Sequence, residues 1–255
     1  MKKPVPYPFN HRHAVRHLKK ADARMRRLIE RAGPFRMRRD VYRTPYESLF
    51  RSILYQQLNG KAAEAIFTRV REQVGQDEIP SPKQFLKAAD GALRTAGLSR
   101  QKIAALRDLA EKTAAGVVPS FEEMEGMESA EIVERLTAVR GVGVWTAEML
   151  LMFRLGRPDV LPVLDFGVRN GFALAYRRKE MPKPKELAAF GERWRPYRTV
   201  ASWYLWRAVD LHNAGKKLKA SARKIKKKGE ETVQRNRSSG STQRRSAASK
   251  LKRGR

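Results

Sequence analysis

The sequence predicts an all-α protein. Apolar residues recur through most of the chain at the three- and four-residue spacing of amphipathic helices. Sustained alternation of β-branched and polar residues, which would indicate strands, does not occur in the sequence. Two glycines, Gly141 and Gly143, stand one residue apart between two apolar-periodic segments and predict a hairpin that joins two helices.

The chain divides into three parts. Residues 1–20 begin with a Pro-rich, basic stretch and predict an extended arm. Helical periodicity starts near Asp22 and first breaks at Gly33, and residues 21–214 are predicted to form one helical domain. Residues 215–255 consist mainly of Lys, Arg, Ser, Gly and Gln with almost no large apolar side chain, which is typical of a disordered tail.

Capping and turn residues bound the predicted helices. Thr44 and Pro45 have the types expected at an N-cap and at the first helical position, and Glu47 completes a capping box. The helix that they open is predicted to continue past Gly60 to Val74. Further helices are expected over residues 22–32, 83–95, 99–115, 129–138, 144–155, 166–176, 185–194 and 196–213.

The balance of charge indicates a polyanionic partner. The chain has 55 Lys and Arg residues against 26 Asp and Glu residues, a net charge of +29. Residues 216–255 contain 16 Lys or Arg and two Glu, or +14, which leaves +15 on residues 1–215. Because the part that is predicted to fold is itself this basic, nucleic acid is the expected partner. The alternative is a well-solvated basic surface in a protein with another role.

The sequence excludes several kinds of site. It contains no cysteine, so a disulfide framework, a zinc–thiolate site and a cysteine-ligated iron–sulfur cluster are impossible. Its N-terminus lacks the apolar run of a signal peptide, and its longest strongly apolar run, residues 149–153, is too short to span a bilayer. We therefore expect a soluble, intracellular protein without a membrane partner, in the cytoplasm and nucleoid or in a nucleus.

The hairpin at residues 139–143 predicts an anion-binding site. A Gly-x-Gly hairpin that leads into a helix turns free amide N–H groups outward at the helix N-terminus, where negative charge is favoured. The residues expected to contact a phosphate there are Arg140, Gly141, Val142, Gly143 and Val144. Asp165 follows Gly143 by 22 residues and is the only acid in residues 161–172. A phosphate-binding hairpin and a carboxylate at this separation in the chain suggest a reaction centre beside bound DNA.

Four stretches of the chain together resemble the helix-hairpin-helix DNA glycosylase superfamily. Within it, the resemblance is to the alkylation-repair branch, DNA-3-methyladenine glycosylase II, and it covers residues 20–212. It implies two helical lobes with a cleft between them, and too few residues precede Thr44 for the N-terminal β domain of some members. The stretches are residues 52–63 (SILYQQLNGKAA), 97–103 (GLSRQKI), 136–153 (LTAVRGVGVWTAEMLLMF) and 161–172 (LPVLDFGVRNGF).

The resemblance implies that Asp165 is catalytic. Hydrolysis of a purine N-glycosidic bond passes through an oxocarbenium-like state, which a desolvated carboxylate stabilises. The same carboxylate can orient or deprotonate the attacking water. An alkylated purine already carries positive charge, so it leaves without a strong general acid and one carboxylate suffices. From the residues alone, Asp165 is also a suitable N-cap for a helix that begins at Phe166, and the two roles are compatible.

Trp145 occupies the position at which bifunctional members of the superfamily carry a lysine that forms a Schiff base. An indole supplies no amine, so the resemblance implies a monofunctional N-glycosyl hydrolase. It also implies a pocket for a flipped, cationic base, which aromatic faces attract by roughly 0.5–2 kcal/mol. The expected pocket residues, each of which is also typical of a helical core, are Trp145, Trp206, Met149 and Trp203.

Two further contacts are implied by the resemblance. Gln57, or next Leu58, would fill the gap that the flipped base leaves, although Asn59 stands where the family more often has serine. No cofactor is expected to be required, and the resemblance allows at most a structural monovalent cation, Na⁺ or K⁺, that bridges the hairpin to a phosphate. The backbone carbonyls that would bind it are those of Thr137, Val139 and Val142.

The sequence therefore predicts a monofunctional alkylbase DNA glycosylase of base-excision repair, acting as a monomer on damaged double-stranded DNA. Two alternatives remain open: a non-catalytic helix-hairpin-helix DNA-binding protein, and a glycosylase for oxidised or mismatched bases. A carboxylate in an apolar loop argues against the first. Trp145 and the absence of cysteine argue against the lyase and cluster-bearing branches of the second.

Overall fold

The computed structural model describes residues 6–40, 42, 44–75, 79–218 and 221. Within these ranges the regular structure is helical and no β-strand occurs, which confirms the predicted all-α class. The helices are α1 (His11–Ala21), α2 (Ala23–Ala32), α3 (Pro45–Tyr55), α4 (Gly60–Val74), α5 (Pro82–Lys87), α6 (Asp90–Thr95), α7 (Arg100–Ala114), α8 (Phe121–Gly126), α9 (Ser129–Thr137), α10 (Val144–Leu150), α11 (Phe166–Ala175), α12 (Pro184–Gly191) and α13 (198–218). A π-helical turn, Leu151–Leu155, continues α10, and a 3₁₀ turn, Glu192–Trp194, follows α12.

Two groups of helices account for the predicted lobes. Helices α3 to α7 pack on one another, and the rings of Phe50 and Phe85 meet edge to face in their interior, 5.3 Å apart. Helices α1, α2, α11 and α12 form the second group around the buried Phe172 and Trp194. Asp22 links this group, since its carboxylate caps α2 and accepts hydrogen bonds from Trp194 and Tyr176. Helix α10 contacts both α9 and α3 and so joins the hairpin to the first group.

The predicted extended arm is wrong beyond residue 10, because α1 begins at His11. Asn10 caps this helix by accepting a hydrogen bond from the backbone N–H of His13 over 3.1 Å. Ala14 and Leu18, one helical turn apart, are fully buried and give the helix its packed face. Residues 1–5 lie outside the described part of the chain.

The single helix predicted from Pro45 to Val74 is wrong, because the structure has two helices there, α3 and α4. The backbone of Gln57 adopts a left-handed conformation, with φ at 58°, which a continuous helix does not allow. Asn59 then opens α4 by accepting a hydrogen bond from the N–H of Ala62 over 2.9 Å. An asparagine before Gly60 was therefore a helix-start signal inside the predicted helix.

Three other boundaries differ from prediction. Residues 83–95 form two short helices, α5 and α6, and the one-turn-and-a-half helix α8 was not predicted. The last helix continues to residue 218, so the predicted end of the domain at 214 and the start of the tail at 215 are each too early. Residues 219–220 and 222–255 lie outside the described residues. Of the helices that the structure describes, none has the length and apolar character needed to cross a membrane.

Candidate active site

Asp165 lies directly before α11 and accepts three hydrogen bonds from three elements. Its Oδ1 accepts from the backbone N–H of Val168 over 2.7 Å and from the indole N–H of Trp206 over 2.8 Å. Its Oδ2 accepts from the indole N–H of Trp145, also over 2.8 Å. The carboxylate thus caps α11, as its position predicted, and at the same time binds the two tryptophans that the sequence assigned to one pocket.

Two glycines of α11 allow this close approach. A Cβ at position 167 would lie 2.8 Å from Cδ1 of Trp206, so only glycine leaves room for the indole against the start of α11. A Cβ at position 171 would lie 2.0 Å from the carbonyl oxygen of Leu205, which no side chain can tolerate. Gly171 therefore sets the distance between α11 and α13, and Gly167 admits the ring that reaches Asp165.

The outer side of the carboxylate is apolar and open. Trp145 is 44% exposed although its N–H is bonded to Asp165. Leu164 and Phe166, which flank Asp165 in the chain, are each more than half exposed. Large apolar side chains with this exposure usually mark a surface that contacts a ligand or partner.

Trp206 separates the carboxylate from a basic cavity. Its ring stacks on Phe153 with centroids 5.9 Å apart and planes 17° apart. Phe153, which sequence reasoning did not single out, sits in the π-helical turn after α10. The cavity beside these rings measures about 640 Å³, and its lining residues include Phe153, Trp203, Trp206, Arg36, Arg38 and Arg207.

Trp203 and Met149 are less directly placed than Trp145 and Trp206. Trp203 is buried and packs edge to face on Phe35, 5.0 Å away, so that it contributes mainly to the core while bordering the same cavity. Met149 is half-buried and lines a second cavity of about 240 Å³ between α3 and α10, together with Tyr55. Phe153 borders both cavities.

The predicted hairpin follows α9 as a tight turn, and two of its side chains are buried in the core. Val139 and Val142 are buried, and the N–H of Val142 donates to the carbonyl of Val139 over 3.0 Å. Gly141 takes a φ of 80°, which the turn requires. Gly143 occupies the N-cap of α10, and no side chain among the described residues caps that helix end.

A carboxylate of α7, that of Asp108, binds the backbone of the hairpin. Asp108 Oδ2 accepts from the N–H of Arg140 over 2.7 Å and from Nζ of Lys112 over 2.9 Å. Burial alone would raise the pKa of Asp108, but these two donors outweigh it and hold the pKa below its ordinary value. The side chain of Asp108 therefore stays charged where it fixes the hairpin backbone.

The loop between α3 and α4 carries both predicted wedge residues and is tied to the hairpin. Gln56 donates from Nε2 to the carbonyl of Gly141 over 2.9 Å. Lys102 donates from Nζ to the carbonyl of Gln56 over 2.9 Å, and also to that of Leu54. Burial lowers the pKa of this lysine. Gln57 and Leu58 are exposed at the tip of the loop.

Glu148 is a second carboxyl group near Asp165 that sequence reasoning missed. It lies on α10 three residues after Trp145, and its Oε2 is buried without a hydrogen-bond partner among the described residues. Burial, followed by the negative charge of Asp165, raises the pKa of Glu148 from 4.5 to about 7. Its spacing from Trp145, which places both on one helix face, was the only signal in the sequence.

Comparison with known proteins shows the family of this chain. The family model of HhH-GPD superfamily base excision DNA repair proteins matches residues 50–196. A DNA-3-methyladenine glycosylase 1 from Schizosaccharomyces pombe is 38% identical over 196 residues, which cover 76% of this chain and 86% of the relative. An alkylbase DNA glycosidase-like protein of the same organism is 31% identical over 207 residues, covering 81% and 97%.

Two solved structures share the fold. The 3-methyladenine DNA glycosylase of Schizosaccharomyces pombe in complex with abasic DNA superposes with a TM-score of 0.68 at 38% identity, covering 76% of this chain and 95% of that chain. A DNA-3-methyladenine glycosidase from Bacillus halodurans gives a TM-score of 0.71 at 39% identity, with coverages of 82% and 92%.

Proposed function

Since this chain belongs to the HhH-GPD superfamily of base excision DNA repair proteins, we propose that it is a monofunctional DNA glycosylase that excises alkylated purines from duplex DNA. The observation that carries the proposal is the Asp165 carboxylate, held by the indole N–H groups of Trp145 and Trp206 beside an open apolar surface. A protein that only bound DNA would have no use for a carboxylate in this setting.

Asp165 is suited to stabilise the positive charge that develops on the sugar. Three hydrogen-bond donors fix both carboxylate oxygens, so the negative charge is oriented before the reaction begins. The charge is needed because departure of the purine leaves an oxocarbenium-like deoxyribose. A purine that already carries a methyl group and a positive charge departs as a neutral base.

The tryptophans favour a cationic base. The exposed ring of Trp145 and the stacked pair Trp206 and Phe153 present electron-rich faces on two sides of the carboxylate. Trp203 and Met149 would form the outer parts of the pocket from the two neighbouring cavities. Flipping of the base into this region is required, since the glycosidic bond is out of reach in a stacked duplex.

The hairpin and the loop ahead of α4 would hold the DNA. The start of α10 and the amides of Gly141, Gly143 and Val144 suit a phosphate. The amides of Arg140 and Val142, which were also predicted to contact it, already donate to Asp108 and to the carbonyl of Val139. Gln57 or Leu58 would enter the space vacated by the base. The carbonyls of Thr137, Val139 and Val142 are the oxygen donors that would hold a monovalent cation between the hairpin and the phosphate. Of these, the carbonyl of Val139 already accepts one hydrogen bond and keeps one lone pair.

Trp145 supports the monofunctional assignment. Its Nε1 is committed to Asp165, and an indole nitrogen is not a nucleophile toward the anomeric carbon. Water is then the nucleophile, and the products are a free base and an abasic site in an intact strand.

Release of 3-methyladenine and 7-methylguanine from methylated duplex DNA, resolved by chromatography, tests the proposal. The wild-type protein should release both, and Asp165→Asn should release them about 10²–10³-fold more slowly. Asparagine caps helices as well as aspartate does, so this variant should keep its fold and its affinity for undamaged DNA. Absence of release by the wild type, or full activity of Asp165→Asn, would contradict the proposal.

A further inference from the structure

We propose that Glu148 is a second catalytic residue of this site, which accepts the proton of the attacking water while Asp165 stabilises charge. The inference rests on the proposed function, because it concerns how the hydrolytic step is divided between the two carboxyl groups. It gives a role to a residue that lies within residues 136–153 but was not among the site residues predicted from the sequence.

Asp165 is poorly placed to accept a proton. Each of its oxygens already accepts an indole N–H, and Oδ1 accepts the backbone N–H of Val168 as well. These donors occupy three of the four lone-pair positions of the carboxylate and hold its negative charge in place. A second carboxyl group nearby can then take the proton of the water.

Glu148 is placed to be that acceptor. It lies one turn after Trp145 on the same face of α10, and Trp145 is bonded to Asp165, so both carboxyl groups belong to one cluster. Its Oε2 is buried and has no hydrogen-bond partner in the part of the chain that the structure describes. A buried carboxyl oxygen without a partner lowers the stability of the fold, because its lost hydration is not replaced. Such an atom in a folded protein calls for a functional explanation.

The charges around Glu148 leave Asp165 as its main electrostatic neighbour. Asp165 faces it from the loop before α11 and is the charged group that acts on it. The cations of the helices packed on α10 have other partners: Arg51 of α3 pairs with Glu64, and Arg135 of α9 donates to the carbonyls of Val117 and Gly116. Arg154, in the turn after α10, lies over the ring of Phe121.

The protonation behaviour agrees with this role. With a pKa of about 7, Glu148 is ionised in a large fraction of molecules at neutral pH and still basic enough to take a proton. The field of a positive charge on the sugar favours its ionised form further. A general base performs best when its pKa lies near the working pH.

Water replaces the purine at the anomeric carbon. The bond between the anomeric carbon and the purine nitrogen breaks, and its electron pair leaves with the cationic base, which departs neutral. The oxygen of water forms the new bond to the anomeric carbon, and one water proton passes to Glu148. The product is an abasic site with a hydroxyl group, and Glu148 later returns the proton to solvent.

Single-turnover excision of 3-methyladenine between pH 5.5 and 8.5 tests the inference. The wild-type rate should rise with pH to a plateau, with its midpoint near 7. Glu148→Gln should be about 10²-fold slower at the plateau and should lose the rising limb. Glu148→Asp should regain part of the rate together with a pH-dependent limb. Glu122→Gln, an equal change of charge on the exposed side of α8, should behave as the wild type does.

Affinity for abasic duplex DNA and the thermal unfolding midpoint separate a catalytic effect from a folding defect. The affinity of Glu148→Gln should be close to wild type at pH 6, and its unfolding midpoint should match wild type near pH 4.5, where Glu148 is protonated in the folded protein. A Glu148→Gln variant with the wild-type rate and pH profile would overturn the inference while leaving the proposed function intact. A wild-type protein that releases no alkylated base would instead refute the proposed function itself.

Discussion

The indole N–H of Trp206 donates to Oδ1 of Asp165 over 2.8 Å, although the two residues are 41 positions apart in the chain. This contact joins α13 to the start of α11, and it depends on how closely those helices pack. Gly167 lies at the point of closest approach, where a Cβ would be 2.8 Å from the indole. The geometry of the carboxylate is thus sensitive to a residue that contacts no substrate.

Gly167→Ala should reduce base release by about tenfold or more, because the added methyl group displaces the Trp206 ring and removes a charge-assisted hydrogen bond worth about 1.5–3 kcal/mol. The substitution is otherwise favourable to the helix by about 0.5–1 kcal/mol. Release of 3-methyladenine and tryptophan fluorescence report the displacement. Gly91→Ala in α6, where a Cβ meets no atom within 4 Å, is the matched control and should leave release unchanged.

Borohydride should trap no covalent complex between the enzyme and damaged DNA. The reason is Trp145, which stands where a Schiff-base lysine would be required. Denaturing electrophoresis after incubation should show strands that break only when alkali is added. A trapped adduct, or spontaneous strand cleavage, would show that another amine attacks the sugar.

Glu148→Gln should make the protein more stable than wild type at pH 8 and equally stable near pH 4.5. Because burial raises the pKa of Glu148 to about 7, the folded protein holds a proton between pH 4.5 and 7 that the unfolded chain has released. The free energy of unfolding of the wild type therefore falls as pH rises through this window, and glutamine has no proton to lose.

Thermal unfolding midpoints across pH 4.5–8.5 measure this difference. The Glu122→Gln variant should follow the wild-type curve, because Glu122 is exposed. Parallel curves for the wild type and Glu148→Gln would mean that Glu148 is not desolvated in the folded state.

Removal of residues 219–255 should weaken binding to damaged and undamaged duplexes alike and reduce its salt dependence. The removed segment holds 14 Lys or Arg, and each phosphate that such residues neutralise contributes about 0.9 to the slope of log affinity against log salt. Base release at saturating enzyme should survive, because Asp165 and the tryptophans lie in the helical domain. Loss of damage selectivity with an unchanged salt slope would assign the segment to the site instead.

The sequence predicted the local parts of this structure well and the packed parts less well. The cap formed by Asp165 spans three residues, so residue types and spacing sufficed to predict it. The hairpin at Gly141 could be predicted for the same reason, because it too depends on residue types a few positions apart. The position of Trp206 was predicted only through the resemblance to a family, because it follows from the close packing at Gly171, which no local pattern encodes.

The errors have equally specific causes. The start of α1 was missed because the prolines before Asn10 outweighed its capping signal. The break at Gln57 was missed because the apolar spacing continues through it, while the backbone does not. Glu148 was missed because its perturbed acidity arises from burial and from a neighbour 17 residues away, and Phe153 because it reads as one more apolar residue of a core helix.

The hydrogen bond from Gln56 to the carbonyl of Gly141, with Lys102 bonded to the same loop, ties together the two segments that we propose contact DNA. On the proposed function, the side chain that probes the base stack sits at a constant offset from the phosphate held at the hairpin. The distance between the bound phosphate and the probed base would then be the same at every position on the duplex. Each one-nucleotide step along the groove would present a new base to the probe without any change in the protein's conformation.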